Sequence, residues 1–170
     1  MVAMGGSAKK SEILKAADKN NLLIAQNRKA LHDFHIFKKF EAGIELYGTE
    51  VRSLRDNNCQ LKDCFVVIRN GEAWLLNLHI SPFKYGNIYN VNPDRKRRLL
   101  LHKKEIRYLK QSTQEKGMSI VPLSIYFKDG HLVKLEIAIA KGKKLHDKRQ
   151  DIAKKTQMRE AREYLKTNNQ

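Results

Sequence analysis

Residues 134–149 read KLEIAIAKGKKLHDKR, and this stretch divides the chain into two parts of different character. In its first half, apolar residues alternate with other residues, which is typical of a strand with one buried face. In its second half, the alternation ends and charged side chains dominate. The junction predicts that a folded sheet ends near Ala140 and that a basic arm begins at Lys141.

The arm after the junction is the most basic part of the chain. Residues 141–170 hold ten basic and four acidic side chains, whereas residues 27–140 hold twenty basic and twelve acidic ones. Apolar residues are sparse in the arm, but Met158, Ala161 and Leu165 fall at helical spacing. This composition predicts a tail that is disordered alone and becomes helical against an RNA surface.

Two hairpins are predicted before the junction. Asn70-Gly71 separates an apolar run at residues 64–68 from an alternating run at 74–80, and Asp129-Gly130 separates two further alternating runs. Both dipeptides tolerate the positive φ angles of a type I′ turn. Each pair of runs is therefore expected to form two antiparallel strands joined by a tight turn.

The remaining elements complete a small barrel. Residues 34–46 alternate as one long strand, with Gly43 as a site for a bend. Residues 48–56 are expected to form a short helix, and an amphipathic helix ends at Gly117, while residues 99–101 fit either a strand or a helix. Five or six antiparallel strands favour a closed barrel of the oligonucleotide-binding type over a doubly wound sheet.

The predicted fold class is therefore mainly β with helices. It consists of an antiparallel barrel with two or three helices and a disordered basic C-terminal tail. We expect residues 1–26 to be a flexible N-terminal arm, residues 27–140 an RNA-binding barrel domain, and residues 141–170 a basic tail that is disordered until it binds an RNA surface.

The charge of the chain predicts a polyanionic partner. The formal net charge is +16 and the isoelectric point is near 9.9, which favours capture of RNA or DNA. No apolar run is long enough for a membrane span, and no basic-then-apolar signal segment opens the chain. We therefore expect a cytoplasmic protein without membrane contact.

Catalytic and metal sites are not expected. Cys59 and Cys64 are predicted to be reduced thiols, and the six histidines are scattered rather than set at metal-ligand spacing. His146 and Asp147 lie near Asp151, but in a segment too mobile to position reacting groups. The sequence predicts no cofactor, no metal and no enzymatic activity.

Basic and aromatic residues offer candidate RNA contacts. Residues 95–98 could be a solvated charge run, but Lys103, Lys104, Arg107 and Lys110 continue the same charge and favour a phosphate-facing surface. Residues 27–29 could be a linker or could contact an RNA backbone. Tyr85 and Tyr89 could stack on bases or cover one mouth of the barrel.

Eight stretches carry a resemblance to a known family. They are Asn27-Arg-Lys-Ala30, Phe40-Glu-Ala-Gly43, Gly48-Thr-Glu-Val51 with Ser53-Leu-Arg55, Leu61-Lys-Asp63, His79-Ile-Ser-Pro82, Leu99-Leu-Leu-His102, Val121-Pro-Leu123 and Gly142-Lys-Lys-Leu-His-Asp-Lys-Arg149. In this order they resemble the small protein B family, which binds transfer-messenger RNA in bacterial ribosome rescue.

The resemblance implies two sets of site residues. The RNA-binding set comprises Asn27, His32, Glu41, Leu100, His102 and Lys134, and the basic residues Arg28 and Lys29 beside Asn27 are added to it as possible backbone contacts. The ribosome-facing tail set comprises Lys141, Lys143, Lys144, His146, Asp147, Lys148 and Arg149.

The resemblance also implies a function as an adaptor. A monomeric barrel would bind the tRNA-like part of transfer-messenger RNA, and the tail would enter the empty mRNA channel from the decoding site of a stalled ribosome. Elongation factor Tu would be an indirect partner through the RNA. The alternatives are a ribosomal protein embedded in rRNA by its basic tail and a nuclease that uses His146 and Asp147.

Overall fold

The structure is a computed structural model that describes residues 21–167, without the side chains at 115, 116, 145, 146, 148, 151, 155 and 162–167. Most of the predicted N-terminal arm therefore lies outside the described residues. The elements, in chain order, are β1 (Leu22–Gln26), α1 (Arg28–Asp33), β2 (Phe34–Ile44), α2 (Gly48–Arg55), β3 (Cys59–Gln60), β4 (Phe65–Arg69), β5 (Glu72–Leu76), β6 (His79–Ile80), β7 (Arg97–Leu100), α3 (Lys103–Lys116), β8 (Ser119–Lys128), β9 (Leu132–Gly142) and α4 (Leu145–Thr167).

Six strands close into an antiparallel barrel in the order β8, β4, β5, β7, β2 and β9. Closure is complete because β9 pairs with β2 on one side and with β8 on the other. β1 pairs with the second half of β8, and β3 pairs with β6 in a separate two-stranded sheet. The predicted fold class is confirmed, although the described residues contain nine strands rather than five or six.

Both predicted turns have the backbone that their residues favour. The φ angles are 51° and 75° at Asn70 and Gly71, and 51° and 75° at Asp129 and Gly130. These left-handed conformations fit the twist of a two-residue hairpin. The predicted turns of both hairpins are thus confirmed. Residues 99 and 100, for which the sequence allows either a strand or a helix, form the end of strand β7.

The barrel interior is filled by aliphatic side chains from several strands and from two helices. Its fully buried members include Leu54, Leu75, Leu109, Ile125, Leu135 and Ile137. At about 25 cal/mol per Å² of apolar area removed from water, this cluster is the main stabilising contribution to the fold. In β9 the alternation places Leu135, Ile137 and Ile139 in it, as the sequence predicts. In β8 the register shifts between Pro122 and Ser124, so that Ile125 and Phe127 enter the cluster, whereas Val121 and Leu123 pack in a second cluster on the other face of the sheet.

Two local predictions are corrected. The sequence assigns residues 22–26 to the flexible arm, but they form β1, because Ile24 is buried against the barrel at the edge of β8. The irregularity in β2 falls between Ile36 and Lys38, not at Gly43. Gly43 instead permits a close approach of β7, since a Cβ atom there would lie 3.2 Å from the Cβ of Leu100.

The tail begins as part of the sheet and continues as a helix. Lys141 and Gly142 are the last residues of β9 and pair with His35 and Phe34 of β2. α4 then runs from Leu145 to Thr167, and every side chain described in it beyond Asp147 is exposed. The described side chains therefore give this helix no buried face through which packing on the barrel would stabilise it.

Candidate nucleic-acid interface

Four of the predicted RNA-binding residues line one open groove of about 640 Å³ at one end of the barrel. They are Glu41, Leu100, His102 and Lys134. Sheet register brings them together, because Gly43 on β2 pairs with Lys134 on β9 and with Leu100 on β7. Residues separated by more than ninety positions in sequence therefore share one surface.

Glu41 is an ionised acceptor at the side of the groove. Lys128 donates to its Oε1 at 2.9 Å, the Tyr126 hydroxyl donates to its Oε2 at 2.7 Å, and Lys134 Nζ lies 3.9 Å away. The hydrogen bonds from Lys128 and Tyr126 lower the pKa of Glu41 below its ordinary value, and they outweigh the opposing effect of burial. A carboxylate has about four acceptor positions, so capacity remains for a donor from a ligand.

The opposite side of the groove combines an apolar side chain with a helix start. Leu100 is 53% exposed. The backbone N–H of His102 donates to Glu105 at 2.9 Å, which fixes the first turn of α3 and leaves the imidazole exposed. The groove thus offers a carboxylate, an ammonium, an imidazole and an apolar surface, a mixture suited to the edges and faces of nucleotides.

A row of positive charge continues from the groove along α3. Lys103 lines the groove, and Lys104, Arg107 and Lys110 follow on the exposed side of the helix, while Leu109 faces the core. Within residues 21–167, no ion pair between described side chains engages any of these four cations. The row is exposed, and its role as a phosphate-facing surface stays a prediction.

The other predicted basic surface, residues 95–98, differs from the α3 row because its arginines form ion pairs within the protein. Arg97 is fully buried, and its Nε donates to Glu50 at 2.9 Å. Arg95 donates to the same carboxylate at 2.6 Å. Arg98 donates to Glu45 at 2.9 Å and to Glu72 at 3.1 Å. The prediction of a phosphate-facing surface is therefore wrong for Arg97. Arg95 and Arg98 are paired with carboxylates, but Arg98 is 42% exposed and lines the groove.

Glu50 is the buried counter-charge of this cluster. Burial acts to raise its pKa, but the hydrogen bonds from Arg95 and from the Tyr47 N–H, with the charge of Arg97, lower the pKa overall. Arg97 also donates to the backbone carbonyls of Leu78 and Pro93. Through Arg97, the cluster connects Glu50 of α2 to the backbone on both sides of β6, at Leu78 and at Pro93.

The remaining predicted RNA-binding residues lie at the opposite end of β2. Asn27, Arg28, Lys29 and His32 belong to α1 or precede it, and α1 leads into Phe34. Nine strand residues separate Phe34 from Gly43, a distance of up to about 30 Å. The structure therefore divides the predicted set between two surfaces.

Three of these four residues, Asn27, Lys29 and His32, form hydrogen bonds or ion pairs within the protein. Asn27 is buried, accepts from the Ala30 N–H at 3.0 Å and donates to the Pro122 carbonyl at 3.3 Å. Lys29 pairs with Asp63 at 3.2 Å. His32 Nδ1 lies 3.0 Å from Asp33. Arg28 and Lys29 are both exposed, whereas the buried Asn27 has a structural role that its sequence position did not reveal.

The root of the tail lies beside this second group. The Lys143 N–H donates to the Asp33 carbonyl at 2.9 Å. Asp147 accepts from the Lys144 N–H at 3.3 Å and lies 3.7 Å from His35 Nε2. Lys141, Lys144 and Arg149 are exposed, whereas the side chains of His146 and Lys148 lie outside the described part. Positive charge is thus concentrated where α4 leaves the barrel.

Reactive groups are few in the described residues. Cys59 and Cys64 are free thiols, and burial raises their pKa to about 11 and about 12. No cluster of three or more metal-ligating side chains occurs among the described residues.

Within the same part of the chain, the helices are either too short or too polar to cross a membrane. Asp147, a candidate in the nuclease alternative, stabilises the start of α4, and the side chains of His146 and Asp151 are not described.

Comparisons with known proteins were made with the whole chain. The family model described as SmpB protein matches residues 24–167. The chain is 56% identical over 147 residues to the SsrA-binding protein of Halothermothrix orenii, covering 86% of this chain and 94% of the relative. It is also 56% identical over 144 residues to the SsrA-binding protein of Geobacter sulfurreducens, covering 85% and 94%.

A solved structure is also similar. It is described as "tmRNA-SmpB: a journey to the center of the bacterial ribosome", with 45% sequence identity and a TM-score of 0.61. The similarity covers 71% of this chain and 85% of the chain in that structure.

Proposed function

The chain belongs to the SmpB protein family, and from that premise we propose that it binds transfer-messenger RNA and acts with it on the ribosome in trans-translation. The names of the relatives and of the similar structure support both partners. The observation that carries the proposal for the barrel is the groove beside the row of α3 cations, which no described carboxylate pairs.

The groove and the α3 row form one surface for folded RNA. The α3 cations bind phosphates, which supplies affinity and orientation without reading sequence. Glu41 accepts hydrogen bonds from base amino groups, which phosphates cannot provide. Leu100 contacts a base or ribose face, and Lys134 contacts an adjacent phosphate. The target is the tRNA-like part of the RNA.

The tail forms the second functional surface. Its predicted ribosome-facing residues are Lys141, Lys143, Lys144, His146, Asp147, Lys148 and Arg149. α4 begins at the end of β2 remote from the groove, so a barrel bound to RNA can present the helix in another direction. The helix reaches the decoding site and enters an mRNA channel that holds no message.

The same proposal defines the protein's wider setting. It acts as a cytoplasmic monomer and a non-enzymatic adaptor. Elongation factor Tu meets the complex through the RNA rather than through the barrel. The binding chemistry requires no cofactor or metal, since side-chain cations and hydrogen-bonding groups recognise the RNA.

A truncation that removes residues 144–170 tests the division between barrel and tail. The cut follows Lys143, because Lys141 and Gly142 are part of β9 and an earlier cut would damage the barrel. We expect transfer-messenger RNA binding to be retained and peptide tagging on stalled ribosomes to be lost. The matched variant is Glu41→Gln with Lys134→Gln, which should weaken RNA binding while the tail stays intact.

Two results would contradict the proposal. Peptide tagging by the truncated protein would show that the tail is not required. Sequencing of co-purified RNA that found only rRNA, at one protein per ribosomal subunit, would identify a ribosomal protein instead. A single dominant small RNA with a tRNA-like end is the expected result.

A further inference from the structure

The loop at residues 81–92, between β6 and β7, displays large side chains to solvent. Tyr85, Ile88 and Tyr89 are 75%, 88% and 76% exposed. These side chains do not cover a mouth of the barrel, which is one of the two interpretations that the sequence allows. Exposed aromatic and aliphatic groups that lie close together commonly mark an interaction site.

The loop is held in one shape by its own polar contacts. The Asn90 side chain accepts from the Phe83 N–H at 3.0 Å and donates to the Phe83 carbonyl at 2.9 Å. The Thr49 hydroxyl donates to the Tyr89 carbonyl at 3.3 Å. Gly86 is buried beneath the loop, where a Cβ atom would collide with the Asn90 side chain. The aromatic side chains are thus presented from a fixed backbone.

Positive charge accompanies the aromatic rings. The Lys84 ammonium lies 5.6 Å from the Tyr85 ring centroid, and the Arg52 guanidinium lies 5.6 Å from that of Phe83. At the base of the loop, the Arg95 guanidinium lies 4.6 Å from the ring of Tyr47, which is itself exposed. Residues 81–92 contain one cation and no carboxylate.

We propose that Tyr85 and Tyr89 form a stacking site for unpaired RNA bases, separate from the groove lined by Glu41 and Lys134. Aromatic rings interleaved with cations match the flat faces of bases and the phosphates that join them. A duplex hides its base faces, so the ligand is a single strand or a loop. Residues 81–92 hold no acidic side chain, and Asp94, which follows them, is paired with His79 at 2.8 Å; both facts favour RNA over a basic protein surface. The inference rests on the proposed RNA-binding function.

Binding of the full-length protein to two RNA probes tests this site. One probe is a single strand of about 12 nucleotides without self-complementarity, and the other is the same strand fully paired in a hairpin. Replacing both rings, Tyr85→Ala with Tyr89→Ala, should weaken single-strand binding about tenfold or more, because base stacking on an aromatic ring is lost. Binding of the paired probe should change by less than about twofold.

Two matched variants identify the cause. Tyr85→Phe with Tyr89→Phe keeps both rings and should bind the single strand as the parent does. Ile88→Ala removes exposed apolar surface without removing a ring and should also leave binding unchanged. Unaltered binding by the double alanine variant would overturn the proposal. Equal weakening by Ile88→Ala, or by the phenylalanine variant, would also overturn it and would indicate an apolar or hydrogen-bonded contact instead.

The proposed function is tested separately with transfer-messenger RNA and the parent protein. If the parent binds that RNA while the double alanine variant retains its single-strand affinity, only the stacking site is refuted. If the parent fails to bind that RNA but the two tyrosines still govern single-strand affinity, the proposed function fails and the stacking site stands.

Discussion

Two basic stretches that are close in sequence differ in exposure and in ion pairing in the structure. In residues 95–98, three arginines pair with Glu45, Glu50 and Glu72, and Arg97 is fully buried. On α3, Lys103, Lys104, Arg107 and Lys110 are exposed and form no ion pair with any described residue. Burial and pairing therefore withhold Arg97 from a ligand, whereas the α3 cations stay exposed to one.

The difference has an energetic basis. A buried guanidinium loses its hydration, and the loss is tolerable only when a counter-charge and hydrogen-bond acceptors replace the water. Arg97 has Glu50 and several backbone carbonyls for this purpose. The α3 cations keep their hydration until a polyanion binds them and releases its own counterions. One stretch therefore serves stability, and the other serves binding.

Removing the buried counter-charge should have the largest effect. We expect Glu50→Gln to lower the free energy of unfolding by about 3–5 kcal/mol, because Arg97 would remain buried without its partner. Urea denaturation measures the change. The exposed pair of Glu45 and Arg98 provides the control, since Glu45→Gln should cost less than about 1 kcal/mol. Equal costs for the two variants would remove the distinction between the buried and exposed pairs.

Neutralising the α3 row should affect binding rather than folding. Replacing Lys103, Lys104, Arg107 and Lys110 with Gln should weaken transfer-messenger RNA binding about tenfold or more. The slope of log affinity against log salt should fall by roughly 0.7–0.9 for each phosphate that the variant no longer neutralises. Lys39→Gln should leave that slope unchanged, because Lys39 is paired with Glu136 and does not line the groove. A reduced slope for Lys39→Gln would show that paired cations also bind phosphate.

Glu41 should produce a smaller effect that depends on pH. Its pKa is lower in the folded protein than its ordinary value of 4.5, chiefly through hydrogen bonds from Lys128 and Tyr126. Its stabilising contribution is therefore full above pH 4.5 and is lost as the pH falls through the folded pKa. Because the side chain is 40% exposed, solvent screening limits the contribution to less than about 1 kcal/mol.

The variant Glu41→Gln measures this contribution by urea denaturation at neutral and at acid pH. The variant should be less stable than the parent at neutral pH and should match it below the folded pKa. Tyr126→Phe removes one of the two donors and should show a smaller difference over the same pH range. A pH-independent difference between Glu41→Gln and the parent would indicate packing rather than charge.

The smallest expected effect concerns the start of the tail helix. Asp147→Asn should weaken the first turn of α4 by about 0.3–1 kcal/mol, because a carboxylate near a helix N-terminus is favourable. Amide hydrogen exchange should become faster in α4 and remain unchanged in the barrel strands. Asp94→Asn, an exposed change outside any helix, is the control. Unchanged exchange in α4 would mean that the carboxylate of Asp147 does not stabilise the helix.

Features fixed by neighbouring residues were predictable from the sequence. The turns at residues 70–71 and 129–130, and the end of α3 at Gly117, follow from residues that tolerate positive φ. The alternation in β9, and in β2 from Phe40 onward, marked the core face correctly, whereas the register shifts in β2 and β8 changed which residues face the barrel interior. The adjacent hairpin strands β8 and β9 also complete the closure of the barrel, so the fold class depended little on distant contacts.

Features fixed by distant residues were not predictable. Glu50 and Arg97 are 47 positions apart, and no local pattern indicates that they meet inside the barrel. Asn27 resembles a polar linker residue until Pro122 is brought against it by the fold. β1 and β3 are short strands whose identity depends on their partners. The groove is formed by residues of three strands, and the register between these strands cannot be read from the sequence. The family resemblance therefore identified residues that periodicity alone could not place together.

The junction between β9 and α4 also sets a geometric limit on what the tail can detect. The 23 residues of α4 span about 35 Å at 1.5 Å per residue. Pairing of the end of β9 with the first residues of β2 anchors the near end of this rod to the barrel. If the tail enters a channel as proposed, a helix anchored in this way can insert fully only where a passage of that length is vacant.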